Sequence, residues 1–182
     1  MRWYWWTPSP IATAAILDPP SVRGPVLVAD WGGGWTGLDA AETLAEHGLE
    51  VTYACAAAAI GEGVHQYQRN LYLGRLDDLG VALLHHVELT GAGTLRHVFS
   101  GRVEPLPAGV ATLVLAQGRV PDDALWPALE GREGCVRAGD VLGPRSAEEA
   151  ILEGTLAVRA ALSRPRREPA RARGTRRSRA GG

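Results

Sequence analysis

Val26-Leu27-Val28-Ala29-Asp30-Trp31-Gly32-Gly33-Gly34-Trp35-Thr36-Gly37 decides how this chain folds. An apolar run of strand length enters Gly32-x-Gly34-x-x-Gly37, and helical spacing opens directly behind it. A dinucleotide-binding turn needs this order. The first glycine permits a tight turn, the second lets the backbone approach a pyrophosphate, and the third lets the helix lie close on the strand. The N–H groups at the helix start then face the phosphates with a favourable dipole. The motif alone is weak, because 23 glycines make chance matches common. Its context strengthens it. Leu38, Ala41, Leu44 and Ala45 share one helical face, Gly48 stops the helix, and Val51 to Ala54 reads as a second strand. The sequence predicts a nucleotide-binding βαβ unit, with a glycine-rich turn that binds nothing as the alternative.

Residues 1–25 carry tryptophans, tyrosine and prolines, and read as an irregular lead-in with at most a helical turn around Ile11 to Leu17. After Gly61 and Gly63, a helix from about Val64 to Leu79 is expected to bury Tyr67, Leu71, Leu76 and Leu79. Val81 to Val87 reads as a third strand. The period then becomes alternating, and Leu95-x-His97-x-Phe99 and Arg102 to Leu106 suggest a small β-meander. Ala111 to Ala116 is continuously apolar, as a buried central strand would be. It leaves through Gln117-Gly118-Arg119-Val120-Pro121. Ligands of open α/β sheets bind at such carboxyl ends, so Gly118 is a candidate contact, against a plain strand exit. Gly139-Asp140 and Pro144-Arg145 precede a helix whose start carries a capping box, Ser146 with Glu149, and Ala150, Ile151, Gly154 and Val158 continue one face. Asp140 beside that helix start suits ribose or ribityl hydroxyls, or is an ordinary turn aspartate.

The 182 residues leave room for one domain and tails, and 46% hydrophobic content suits a globular core. All 19 basic residues are arginine. Eight fall from Ser163 to Gly182, where the only acid is Glu168, so a net charge of −1 hides a basic tail on an acidic body. The tail reads as disordered, and without interleaved aromatics a nucleic-acid role is disfavoured. No apolar run reaches membrane-spanning length and no export signal is recognisable, so a cytoplasmic protein is expected. Cys55 and Cys135 lie too far apart in sequence for a metal or redox pair and read as core thiols. His85 and His86, adjacent on one strand, are expected on opposite faces. Trp31 and Trp35 flank the glycines, to cover a nucleotide ring or simply to pack. No acid–base or nucleophile arrangement emerges. In hydride transfer the cofactor carries that chemistry.

Taken in order, GGGWTG, the meander, LVLAQGRVP and AGDVLGPRSAEEAILEGTLAVRAAL resemble the C-terminal region of multidomain NADH:flavin oxidoreductases, the Old Yellow Enzyme-like family of 2,4-dienoyl-CoA reductase and trimethylamine dehydrogenase. The resemblance runs from about Val26 to Leu162. It implies a glutathione-reductase-like FAD/NAD(P)-binding fold: α/β, Rossmann-like and doubly wound, with a mainly parallel sheet, an antiparallel meander and an incomplete flavin half. On that likeness, residues 1–25 are a remnant of a flavin-type subdomain, 26–125 the NAD(P)-type subdomain, 126–162 a final flavin-type piece and 163–182 the arginine tail. Gly32, Gly33, Gly34, Trp35, Thr36, Gly37 and Gly118 would line NAD(P)H. Gly139, Asp140, Arg145 and Ser146 would lie at the flavin.

This sequence departs from the family pattern. It has no barrel, no cysteine cluster for an iron–sulfur centre and no earlier glycine turn. The FAD site is therefore expected to be incomplete and not to hold FAD tightly alone, and a flavin-bearing barrel domain or subunit is the expected partner. The tip of strand two, Thr52-Tyr53-Ala54-Cys55, has neither the acid that favours NAD nor an arginine for a 2′-phosphate. The expected role is hydride or electron transfer as part of an NAD(P)H:flavin oxidoreductase. The alternative is a truncated or split-gene docking module with an empty nucleotide site.

Overall fold

A computed structural model describes residues 17–91 and 93–163. The helical turn expected near Ile11 lies almost wholly outside these residues, as do most of the tryptophan-rich lead-in and the arginine tail. The chain divides into two compact units, one ending at Val120 and the other starting at Pro121.

In the first unit, β1 (Val26–Asp30), β2 (Val51–Cys55), β3 (Ala82–His85) and β7 (Thr112–Ala116) form a wholly parallel sheet in the order β3-β2-β1-β7. Between them, β4 (Val87–Leu89), β5 (Thr94–His97) and β6 (Val103–Pro105) make an antiparallel meander. Helices α1 (Trp35–Glu46) and α2 (Gln66–Asp78) supply the crossovers from β1 to β2 and from β2 to β3. The chain winds outward from β1 to β3, then returns through the meander and adds β7 on the other side of β1. Strand order thus reverses between β1 and β7. This is the Rossmann-like architecture that the glycine turn announced.

Each sheet face has its own cover. Val28, Tyr53 and Val114 pack with Leu38, Ala41, Leu44 and Leu76 of the helices. Leu27, Ala54 and Leu113 pack with Leu95 of the meander. Every residue of β1 is buried, which is why its run from Val26 to Ala29 is apolar without alternation. Leu38, Leu44 and Leu76 are fully buried, each contributing on the order of 1.5–3 kcal/mol over exposure.

Four expectations change. First, β7 borders the sheet, and β1 is internal. The apolar run of β7 reflects cover on both faces, with Val114 turned to the helices and Leu113 to the meander. Second, Tyr67 and Leu71 of α2 are exposed, whereas Tyr72 and Leu73 join Leu76 against the core. Leu71 and Leu76 sit about 140° apart around a helix and cannot share a face. Third, the strand read as Val81 to Val87 is two strands. His86 has a left-handed backbone, φ 59°, and turns the chain out of the parallel sheet into the meander. This conformation is uncommon outside glycine, although histidine is among the residues enriched in it. The break cancels the alternation expected of His85 and His86, whose ring centroids lie 6.0 Å apart. Fourth, Phe99 lies in the turn after β5 and not within the strand.

In the second unit, α3 (Trp126–Leu129) is a single turn, a 3-10 turn spans Gly139–Val141, and α4 (Ala147–Ser163) is the longest helix described. Ile151 and Val158 of α4 are exposed, unlike the half-buried Ala150 and Gly154 that were expected to share their face. No helix among the described residues is long and apolar enough to cross a membrane.

Candidate functional site

A crevice opens at the carboxyl ends of β1 and β7, where strand order reverses and where ligands of open α/β sheets bind. Asp30, Trp31, Gly32, Gly34, Thr36, Gly37, Leu115, Ala116, Gly118 and Arg119 line it. Of the residues expected on the pyridine-nucleotide side, the structure gathers Gly32, Gly34, Thr36, Gly37 and Gly118 here. Trp35 stands apart, its ring edge-on to Tyr72 with centroids 5.8 Å apart. Trp31 reaches the crevice and is 64% exposed.

The glycines divide the work differently from the expectation. The tight turn belongs to Gly33, the middle residue, with φ +60°. A Cβ there would also crowd Ala59 O at 3.1 Å and Ala57 Cβ at 3.2 Å. Gly34 faces open space, and so does Gly118, whose φ of +99° suits glycine. Gly37 does lie at a close approach, but its neighbour is the side chain of Asp30.

Asp30 is the residue that motif reading passed over. It ends β1, is 4% exposed, and turns its carboxylate into the glycine turn. Oδ1 accepts hydrogen bonds from the N–H groups of Gly32 and Gly33, both at 2.9 Å. Oδ2 accepts one from the Tyr53 hydroxyl of β2 at 2.6 Å. Burial pushes the Asp30 carboxyl above its ordinary range, against the pull of Tyr53 and the glycine amides. Tyr53, buried beside that carboxylate, is pushed far above the ordinary phenol range. Burial raises the neighbouring Cys55 thiol too, which suits a core residue better than a nucleophile. The signal for Asp30 was present: an acid closing an otherwise apolar buried strand requires partners.

The loop after β2 completes the turn. Gly63 N–H donates to Gly33 O at 3.2 Å, and Glu62 Oε2 accepts from Ala59 N–H at 3.1 Å. A Cβ on Gly63 would lie 3.4 Å from Gly33 O and 3.5 Å from the Gly34 Cα. This loop rests on the glycine turn from the β2 side.

The fit of a dinucleotide follows from these contacts. A coenzyme turn offers its amides to a pyrophosphate. Here Gly32 and Gly33 have given theirs to Asp30, and the tip of β2 has no acid for a ribose. The crevice measures about 180 Å³, below the roughly 300–1,000 Å³ of typical small-molecule sites. The Gly32 and Gly33 amides, held by Asp30, do not fit a dinucleotide pyrophosphate.

The flavin-side candidates fall in the second unit. Gly139 N–H donates to Glu153 Oε2 at 2.8 Å, and Arg145 pairs with the other oxygen of Glu153. Asp140 is exposed in the 3-10 turn. Ser146 Oγ accepts from Glu148 N–H at 3.2 Å while Ser146 N–H donates to Glu149 at 3.1 Å, so the expected cap forms. Among the described residues, no group of three or more His, Cys, Asp or Glu is placed to hold a metal ion.

No model of a known protein family matches the chain, and no curated protein does. Solved structures do. Histamine dehydrogenase from Rhizobium sp. 4-9 is 22% identical, with TM-score 0.65, over 82% of this chain and 26% of that one. The amine oxidase HisD from Pseudomonas geniculata N1, which acts on 6-hydroxypseudooxynicotine, gives 22%, TM-score 0.63, 78% and 23%. A 2-naphthoyl-CoA reductase gives 26%, TM-score 0.59, 78% and 22%. The chain spans about a quarter of the length of these proteins. Its fold is the Rossmann-like, FAD/NAD(P)-binding type found in such oxidoreductases.

Proposed function

We propose that this chain works as the pyridine-nucleotide-type module of an NAD(P)H:flavin oxidoreductase related to 2,4-dienoyl-CoA reductase. The supporting observation is the fold it shares, over 78% of its length and at 26% identity, with a fraction of a 2-naphthoyl-CoA reductase. In this reading the flavin or nicotinamide is held mainly by a flavin-bearing barrel domain or subunit. The chain supplies the sheet-and-meander body and, through Gly139 to Ser146, a flank for the flavin. Residues 26–125 form the nucleotide-type subdomain, and 1–25 and 126–162 belong to a flavin-type half. Electron or hydride transfer belongs to the assembly.

The alternative reading, an empty nucleotide site, has a specific observation in its favour, the engagement of Gly32 and Gly33 by Asp30. The two readings combine: a redox assembly in which this module has a framework role. The test is purification of the full chain from its native source under mild conditions, with acid-released flavin measured in the eluate. Co-elution with a flavoprotein in constant ratio is the expected result. A chain that elutes alone and without flavin overturns the reading.

A further inference from the structure

Four features converge on one carboxylate. Asp30 Oδ1 takes the Gly32 and Gly33 amides, and Oδ2 is tied to Tyr53 on the neighbouring strand. Rotating the carboxylate away would strand the Tyr53 hydroxyl without its partner. Gly37 leaves room for the carboxylate where any side chain would overlap it. The loop carrying Gly63 closes over the same turn and bonds to Gly33 O.

We propose that the Asp30 carboxylate is the built-in ligand of the glycine turn, filling the place of a diphosphate on the Gly32 and Gly33 amides and so excluding nucleoside diphosphates and dinucleotides. An incoming phosphate has to displace a hydrogen-bonded acceptor and then sit beside a buried acid. On this account Gly37 serves to seat Asp30 and no longer a coenzyme. The glycine motif survives because the internal carboxylate needs the same backbone that a phosphate does.

The inference stands apart from the proposed place in an oxidoreductase, since a flavoprotein partner neither requires nor forbids it. ADP is the probe, titrated into the full chain by calorimetry while the Gly32 and Gly33 amide resonances are followed. Wild type is expected to show no saturable binding at millimolar ADP and no movement of those amides. The double variant Asp30→Ala/Tyr53→Phe removes both partners, so neither is left unpaired. It is expected to bind ADP at least about tenfold more tightly, with Gly32 and Gly33 shifting. Asp30→Asn, which keeps an acceptor at the turn, is expected to gain less than the double variant. Micromolar ADP binding by wild type with Gly32 and Gly33 shifts overturns the inference, as does a folded double variant without any gain. If the double variant does not fold, the wild-type titration and its two amides decide alone.

Discussion

A methyl group on Gly37 would overlap the Asp30 carboxylate, its carbon lying 2.7 Å from Asp30 Cγ. The start of α1 and the end of β1 are therefore shaped to each other through one acid. In an ordinary helix interior, Gly→Ala stabilises by up to about 1 kcal/mol. Here Gly37→Ala is expected to reverse that sign and cost on the order of 1–3 kcal/mol, read as a lower urea midpoint. Adding Asp30→Ala to Gly37→Ala should cost less than the two single losses combined, because the overlap disappears. Strict additivity would show that the strain lies elsewhere.

The acid also sets a pH dependence. Burial raises the folded-state value of Asp30 above its ordinary 3.8. The folded state therefore binds the proton more tightly than the unfolded chain does. Its stabilising contribution is complete below 3.8 and is lost as pH rises through the folded value. Unfolding free energy measured against pH for wild type and Asp30→Asn should show wild type losing ground to the variant across that window, then levelling. A difference that stays flat, or moves the other way, contradicts the assignment.

How much of this was legible in the sequence depends on what each residue's neighbours are. β1, α1 and the end of α1 at Gly48 were readable, because strand apolarity, helical spacing and a left-handed glycine are local signals. The face of α2 was not. Tyr72 turns inward partly because its hydroxyl donates to Asp39, 33 positions away, at 2.6 Å, and no local periodicity encodes that partner. The break at His86 was hidden for a similar reason. Its ring nitrogen lies 2.9 Å from Ala58 O, a contact between distant segments. At the site, the sequence named five crevice residues but assigned their amides to a ligand from outside. The internal claimant, Asp30, differs from a coenzyme-binding turn by one side chain that the glycine pattern does not include.

The Tyr72–Asp39 contact makes its own prediction. Hydrogen bonding to Asp39 is the largest cause that pushes the Tyr72 hydroxyl up to about 12. A raised tyrosine value means stability that is present below 10 and lost as pH climbs through the folded value. Ultraviolet titration of tyrosinate should therefore contain a late step near pH 12 that Tyr72→Phe removes. Asp39→Asn weakens the acceptor and should move the step downward. If Asp39→Asn leaves the step in place, the hydrogen bond is not its cause.

α4 offers the last test. None of its residues is fully buried among the described residues, and Ile151, Leu152, Leu156 and Val158 are exposed. A helix with little buried surface leans on its local terms, and one of these is the box at its start. Ser146 Oγ serves Glu148 N–H, and Glu149 answers at Ser146 N–H. The Ser146 hydroxyl also donates to the Glu149 carboxylate, and that bond leads in holding the Glu149 carboxyl below its ordinary 4.5. The cap's contribution is thus present above 4.5 and fades as pH falls through the folded value. Ser146→Ala in the full chain is expected to speed amide exchange several-fold at Glu148 to Ala150, while exchange in β1 and α1 stays unchanged. Wild type brought to acid pH should lose protection at the same amides, once the intrinsic pH dependence of exchange is removed. Equal protection in Ser146→Ala and wild type would mean that contacts other than the cap hold the first turn of α4.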